Sequence, residues 1–143
     1  MNIIWPLHNN RNGISGNINT LYKLSRLKIF MHWNGNSELT GNLENMCASI
    51  YKLQELDIVH PIVYSNTWNS DNYDYNIAGD ISVFSAKYNL MKLQIYPYPN
   101  ITGEIKSLKN LKKLYYLILS RSSVTGSKSD LYNSGANIST FYI

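Results

Sequence analysis

Three histidines, His8, His32 and His60, are the side chains whose chemistry would be simplest to recognise in this chain. Imidazole nitrogens are common metal ligands. The spacing of these three matches no ligand motif, however, and no nucleophile with a base and no carboxylate pair accompanies them. The sequence also has no Gly-rich phosphate loop and no Gly-x-Ser-x-Gly elbow. It therefore predicts no enzyme, no metal site and no cofactor, and the histidines are expected at an edge of the fold.

Cys47 is the only cysteine. A lone cysteine excludes an internal disulfide, and no Cys/His cluster with zinc-ligand spacing surrounds it. Free cysteine usually behaves as a small apolar residue, so we expect Cys47 to be buried.

The composition is that of one compact domain with a polar surface. The chain has 143 residues, of which 44% are hydrophobic and only 15% charged, with 19 Asn and 12 Tyr. These values exclude a disordered tail, a coiled coil and a collagen-like fibre, and no apolar run is long enough for a membrane-spanning helix. The first residues lack the pattern of a secretory signal, so a location in the cytoplasm or in a virion is expected.

Charge is distributed unevenly along the chain. Residues 1–80 carry five Lys/Arg and seven Asp/Glu, whereas residues 81–143 carry eight and two. The basic run Lys106, Lys109, Lys112 and Lys113 interleaves with leucines, which is the pattern of solvated positions on a packed segment. Nucleic acid is therefore an unlikely partner for this run.

Two landmarks repeat at a period of about 24 residues, and they define the elements that must position any site. The first is Leu-x-x-Leu-x-Leu, a spacing that indicates a short strand. The second is a Thr-Gly-like dipeptide after an aliphatic residue, where glycine allows a tight turn. The first landmark begins at residues 1, 24, 53, 90, 114 and 138, and the second has its glycine at 16, 41, 79, 103 and 126.

The pattern resembles the leucine-rich repeat family, and within it the plant-type subclass marked by Leu-Thr-Gly-x-Ile. The best matches are residues 39–43 and 101–105, and the resemblance covers nearly the whole chain. It implies a single domain over residues 1–143. The implied fold is an α/β solenoid, a short right-handed leucine-rich repeat with about six parallel strands and an irregular or short helical convex side. It also implies that the concave sheet is a docking face for another protein.

Alternation along each strand predicts which residues face outward from that sheet. The third and fifth residues of each repeat form two columns in which opposite charges lie side by side. One interpretation is a partner-binding surface; the other is charge pairing that only keeps the sheet soluble. The residues that we single out on the sheet are Arg26, Lys28, Glu55, Asp57, Lys92, Tyr116 and Tyr142.

An insertion is expected at about residues 60–76, because the repeats on either side of it start 37 residues apart. Loops of this length are usually functional or mobile. Its rings, Trp68 and Tyr73 among them, suit contact with a protein or with carbohydrate, and the alternative is that they fold back on the solenoid.

The ends of the repeat array have no recognisable polar caps. Ile138, Phe141 and Ile143 would form a last core layer with nothing beyond it. The sequence therefore predicts a protein-binding module. The alternative is a structural subunit of a larger assembly, such as a bacteriophage virion, that is held through its uncapped ends and whose covered C-terminal strand includes Phe141.

Overall fold

Parallel strands dominate the structure. The computed structural model describes residues 1–5, 15–33, 39–59 and 75–143. In these ranges the strands form two parallel sheets, one of six strands in the order β1-β3-β5-β7-β9-β11 and one of five in the order β10-β8-β6-β4-β2. With a few short helices, this is an α/β-like arrangement, and it confirms the expected six parallel strands.

Each sheet takes alternate strands along the chain, and short helices follow the strands of the five-stranded sheet. One α-helix, α1, is accompanied by 3₁₀ helices at Ile18–Lys23, Ile81–Phe84, Ile105–Leu108 and Lys128–Ser134. The bounds are β1 Asn2–Trp5, β2 Gly16–Asn17, β3 Ile29–Trp33, β4 Leu39–Asn42, α1 Leu43–Cys47, β5 Glu55–Val59, β6 Ile77–Asp80, β7 Lys92–Tyr96, β8 Ile101–Glu104, β9 Tyr116–Ile118, β10 Ser123–Thr125 and β11 Thr140–Tyr142.

The five-stranded sheet was not expected from the sequence. The Thr-Gly segments, which were predicted only as tight turns, are themselves strands that pair in parallel from one repeat to the next. Their side-chain pattern is too short to reveal a strand by alternation. The insertion predicted at about 60–76 lies outside the described residues except for residues 75 and 76.

A single hydrophobic core lies between the two sheets and the helices. Its aliphatic side chains are almost completely buried, as at Leu56, Leu93 and Leu117, which occupy equivalent positions in neighbouring strands. Cys47 is buried among them, as predicted.

The register of the second repeat differs from the prediction. Leu24, Leu27 and Ile29 fit the strand template by spacing, but β3 pairs so that Phe30 lies opposite Leu56 and His32 opposite Ile58. The inward residues of this repeat are therefore Leu27, Phe30 and His32, all buried. The leucine spacing does not predict this alignment, because His32 occupies a position that is aliphatic in the following repeats.

Glycines in the five-stranded sheet allow neighbouring repeats to approach closely. Gly103 has φ +115°, and a Cβ atom there would lie 2.6 Å from Asp80 Oδ1 and 2.8 Å from Ile81 Cγ1. Both the left-handed backbone and the short distance require glycine. The dipeptide thus fixes the packing between repeats as well as the path of the chain.

Side chains at the helix starts connect one repeat to the next. Asn42 and Asp80 cap their own helices, and their main-chain N–H groups donate to the preceding repeat, at 2.7 Å to Asn19 Oδ1 and to Glu44 Oε1. Each carboxamide or carboxylate thereby satisfies a donor that the strand end leaves open.

The C-terminal repeat is better covered than predicted. Ile138 is only 7% exposed and Phe141 is half-buried against the core, while Leu131 from the helix Lys128–Ser134 is buried beside them. Of the three residues expected to form a last core layer in contact with water, only Ile143 is exposed, at 41%. Ile138 and Phe141 are therefore not left exposed to water as predicted, because both pack with the single core.

Candidate binding surface

The candidate site is the outer face of the six-stranded sheet, the face turned away from the core. Alternation is clearest in β7, where Lys92 and Gln94 are half-buried while Leu93 and Ile95 are completely buried. The same alternation in the other strands gives two outward columns. The outer face consists of Asn2, Ile4, Ile29, Met31, Glu55, Asp57, Lys92, Gln94, Tyr116, Ile118, Thr140 and Tyr142.

The first column matches the prediction in the last four repeats. Glu55, Lys92, Tyr116 and Thr140 are direct neighbours across β5, β7, β9 and β11. The Lys92 ammonium lies 5.0 Å from the centre of the Tyr116 ring, within the range of a cation–π interaction.

Arg26 and Lys28 do not belong to this face, so their predicted place in the columns was wrong. Ile29 is the residue that pairs with Glu55. Arg26 and Lys28 are exposed residues that precede β3, and the Lys28 carbonyl accepts hydrogen bonds from Gln54 N and Glu55 N at 2.7 and 3.0 Å. The lateral charge pairs predicted for these two cations therefore do not form on the sheet.

Asp57 lies in the second column but is completely buried, which corrects the prediction that it faces solvent. Lys92 of the next strand forms an ion pair with it, and the lysine side chain is 14% exposed. An ion pair removed from water loses hydration that its mutual attraction must offset. The centre of the outer face is thus a charge pair that is largely removed from water.

Apolar side chains occupy much of the rest of the outer face. Tyr142 is 61% exposed, Ile4 is 52% exposed, and Met31 and Ile118 are half-buried. The sequence analysis missed Ile4 and Met31 as outward residues because it aligned the first two repeats incorrectly. If His32 is assigned to an inward position, alternation along the strand places Met31 on the outer face.

Several predicted residues lie outside the described residues. Trp68 and Tyr73 of the insertion are among them, and so is the predicted carbohydrate contact. His8 and His60 are also outside, which leaves the three-histidine arrangement open.

His32 is buried on the inner side of the six-stranded sheet, 2% exposed. Neither ring nitrogen has a well-formed hydrogen bond with a described residue. Burial lowers the pKa of His32, and the ring's contact with its own main chain offsets part of that change. The imidazole is therefore held neutral, which suits packing better than catalysis.

Lys87 is a buried lysine on the helical side of the molecule. Its Nζ donates to the Cys47 carbonyl at 2.6 Å and lies 4.7 Å from the Tyr51 ring centre. Burial lowers the pKa of Lys87, while burial raises the pKa of Cys47 to about 12. The thiol is thus kept protonated and unreactive.

Among the residues described, no group of three His, Cys, Asp or Glu side chains is placed to hold a metal ion. In the same ranges, no helix is long and apolar enough to cross a membrane.

Neither the known protein-family models nor the curated protein sequences contain a match to this chain. Its function is therefore inferred from the geometry of its surfaces.

Proposed function

We propose that this chain is a short right-handed leucine-rich repeat solenoid, non-enzymatic, that binds another protein through the outer face of its six-stranded sheet. The repeated strand-strand-helix order and the inward aliphatic residues support the solenoid. The face itself supports the binding role, since a parallel sheet presents side chains from six repeats in two straight columns.

One observation carries the binding proposal. The Asp57–Lys92 pair, with one charge fully buried and the other nearly so, has Tyr116 directly beside Lys92, and Ile118 and Tyr142 continue the outer face on the same side. Interface residues that contribute most to affinity are typically aromatic or charged groups in dry surroundings. A partner that covers the rings would gain apolar burial, and the lysine would need little further desolvation.

The docking face is tested by charge on its apolar part. Ile118→Asp should weaken capture of the partner from the cells that produce the chain by tenfold or more, because it places a carboxylate in the covered area. Tyr132→Asp is the matched control, since Tyr132 is 70% exposed on the helix Lys128–Ser134. Equal capture by both variants, each with an unchanged melting temperature, would contradict the proposal.

A second candidate is a structural subunit that assembles through its ends. The observation in its favour is apolar exposure at the outermost strands of the six-stranded sheet, at Ile4 within β1 and Met1 next to it, and at Tyr142 within β11 and Ile143 next to it. Outer strands of this kind are templates for pairing with another chain.

Sedimentation velocity separates the two candidates. End-to-end assembly predicts a mass that rises with concentration and returns to that of the monomer in Ile143→Lys, while Ile118→Asp leaves it unchanged. A concentration-independent monomer would eliminate this candidate and leave the docking face intact.

A further inference from the structure

Cations and tyrosines from four successive repeats converge on one edge of the molecule, where the chain enters the six-stranded sheet. The registers make Ile29, Glu55, Lys92 and Tyr116 neighbours. Counting back from each gives the residues that share this edge. Three positions earlier lie Arg26, Lys52, Asn89 and Lys113, and four positions earlier lie Tyr51, Tyr88 and Lys112.

A side-chain contact supports this alignment. Lys113 Nζ donates to Asn89 Oδ1 at 2.8 Å, although the two are 24 residues apart. Adjacent strands lie about 4.8 Å apart, so the row from Arg26 to Lys113 spans about 14 Å over three steps. We call Arg26, Tyr51, Lys52, Tyr88, Lys112 and Lys113 the basic edge, and all six are exposed.

The two tyrosines of the basic edge present their rings to solvent. Tyr51 is 64% exposed and Tyr88 is 62% exposed, in adjacent repeats and at equivalent positions. Lys87, held by the Cys47 carbonyl, places its ammonium against one face of the Tyr51 ring. That contact orients the ring and leaves its remaining surface available.

The acidic residues that the structure describes are grouped elsewhere. Glu44, Asp80, Glu104 and Asp130 lie at the starts of the helices, and Asp57 is paired within the sheet. Glu55 at the start of β5 is the carboxylate that follows the basic edge in sequence. The edge therefore carries four exposed cations, which attract a polyanion.

We propose that the basic edge binds single-stranded nucleic acid. Arg26, Lys52, Lys112 and Lys113 would contact phosphates, and bases would stack on Tyr51 and Tyr88. Cationic rows with interleaved exposed aromatic rings are the general means of holding a single strand, because every base has a π face. In a duplex the bases are stacked on one another, so their faces cannot reach the tyrosine rings. An acidic peptide has no bases that could stack on these rings.

This surface is separate from the outer face proposed for protein docking, and it regroups the basic run seen in the sequence. Lys112 and Lys113 belong to it, together with Arg26 and Lys52 from distant parts of the chain. Lys106 does not, since it pairs with Glu104 at 2.5 Å at a helix start.

The first test is fluorescence anisotropy with a labelled twelve-nucleotide oligothymidylate. Four phosphate contacts predict a logarithmic salt slope of about −3, which is a loss of roughly fiftyfold in affinity between 50 and 200 mM salt. The double variant Lys52→Glu/Lys113→Glu should bind at least tenfold more weakly and with a shallower slope. Lys106→Glu/Lys128→Glu changes the net charge equally and should bind like the native chain. Equal weakening by both pairs would overturn the proposal.

The second test separates the single strand from other polyanions. Tyr51→Ala/Tyr88→Ala should weaken oligothymidylate binding at least fivefold per ring while leaving the salt slope unchanged. Unaltered affinity in this variant, an equally tight complex with a twelve-base-pair duplex, or tighter binding of a polyglutamate peptide would each overturn it.

A measurement on the native chain makes the test independent of variants. Ultraviolet crosslinking to an oligonucleotide that contains 5-bromouracil, followed by peptide mass spectrometry, should label Tyr51 or Tyr88. Labelling confined to other regions would reject the basic edge as the site.

Discussion

A carboxylate that is completely buried on a sheet face is unstable unless a cation meets it, and Lys92 performs that role for Asp57. Such a pair contributes little net stability relative to apolar residues, yet removal of one member leaves an uncompensated charge. Its effect is therefore asymmetric. The pair also fixes where Lys92 lies, with its ammonium over the Tyr116 ring, and so determines the charge pattern of the outer face.

Replacement of Asp57 by alanine should lower the free energy of unfolding by about 3 kcal/mol, because it leaves the Lys92 ammonium without its counter-charge where little water can reach it. The double variant Asp57→Leu/Lys92→Leu should lose less than either single replacement. Urea unfolding of the three variants measures this coupling. A simple sum of the single effects in the double variant would show that the two groups do not interact.

Acid should destabilise the folded chain through His32. The imidazole of the unfolded chain titrates near 6.5, and burial lowers the pKa of His32 in the folded chain. Below pH 6.5 the unfolded state therefore binds a proton that the folded state does not bind. Stability is therefore complete above about pH 7 and declines as pH falls, by at most about 1.4 kcal/mol per pH unit.

The control is His32→Leu, which keeps His8 and His60 and should flatten the decline between pH 7 and 5. The measurement is the free energy of unfolding in urea across that range. Parallel curves for the native chain and the variant would contradict the assignment to His32.

At the scale of the elements, the five-stranded sheet and the helix starts form a joint between repeats. Asp80 shows how compact it is, because its side chain caps Ser82 N at 2.8 Å, its main-chain N–H donates to Glu44, and its Oδ1 lies 2.6 Å from the position that a Cβ atom of Gly103 would take. One residue thus contacts the repeat before it and the repeat after it. The joint therefore requires a glycine at the Thr-Gly position of Gly103, because a larger residue would clash with Asp80 and Ile81.

Gly103→Ala should cost about 3 kcal/mol of unfolding free energy, because strain from the left-handed backbone adds to the clash with Asp80 and Ile81. Gly135→Ala is the matched control, since Gly135 also has positive φ, at +76°, but a Cβ atom added there would have no neighbouring atom within 4 Å. Its cost should be about 1 kcal/mol. Thermal and urea unfolding compare the two, and similar losses would mean that the close approach relaxes easily.

At the scale of the whole molecule, the sequence predicts the periodic core well and the exceptions poorly. The order of Glu55, Lys92, Tyr116 and Thr140 across four strands follows from leucine spacing, whereas six strands in parallel were implied by the resemblance to leucine-rich repeats. The register of β3 could not be predicted, because His32 occupies an aliphatic position. Burial of Asp57 could not either, because alternation indicates the face of a residue and says nothing of what covers it.

The stability of the whole molecule should depend more on its middle than on its last repeat. Phe84 is completely buried, whereas Phe141 is half-buried at the C-terminal side. Phe84→Ala should cost about 4 kcal/mol, and Phe141→Ala clearly less. Equal losses in urea unfolding would indicate that the last strand is held as firmly as the centre.

The hydrogen bonds from Asn42 N to Asn19 and from Asp80 N to Glu44 each reach only to an adjacent repeat. In the proposed solenoid, a chain joined in this way behaves as a one-dimensional array, in which opening spreads from the ends inward. Amide protons should therefore exchange with deuterated water in a gradient, slowest in β5 and β7 and fastest in β1 and β11. Exchange that is uniform across all repeats would instead indicate a molecule that opens only as one cooperative unit.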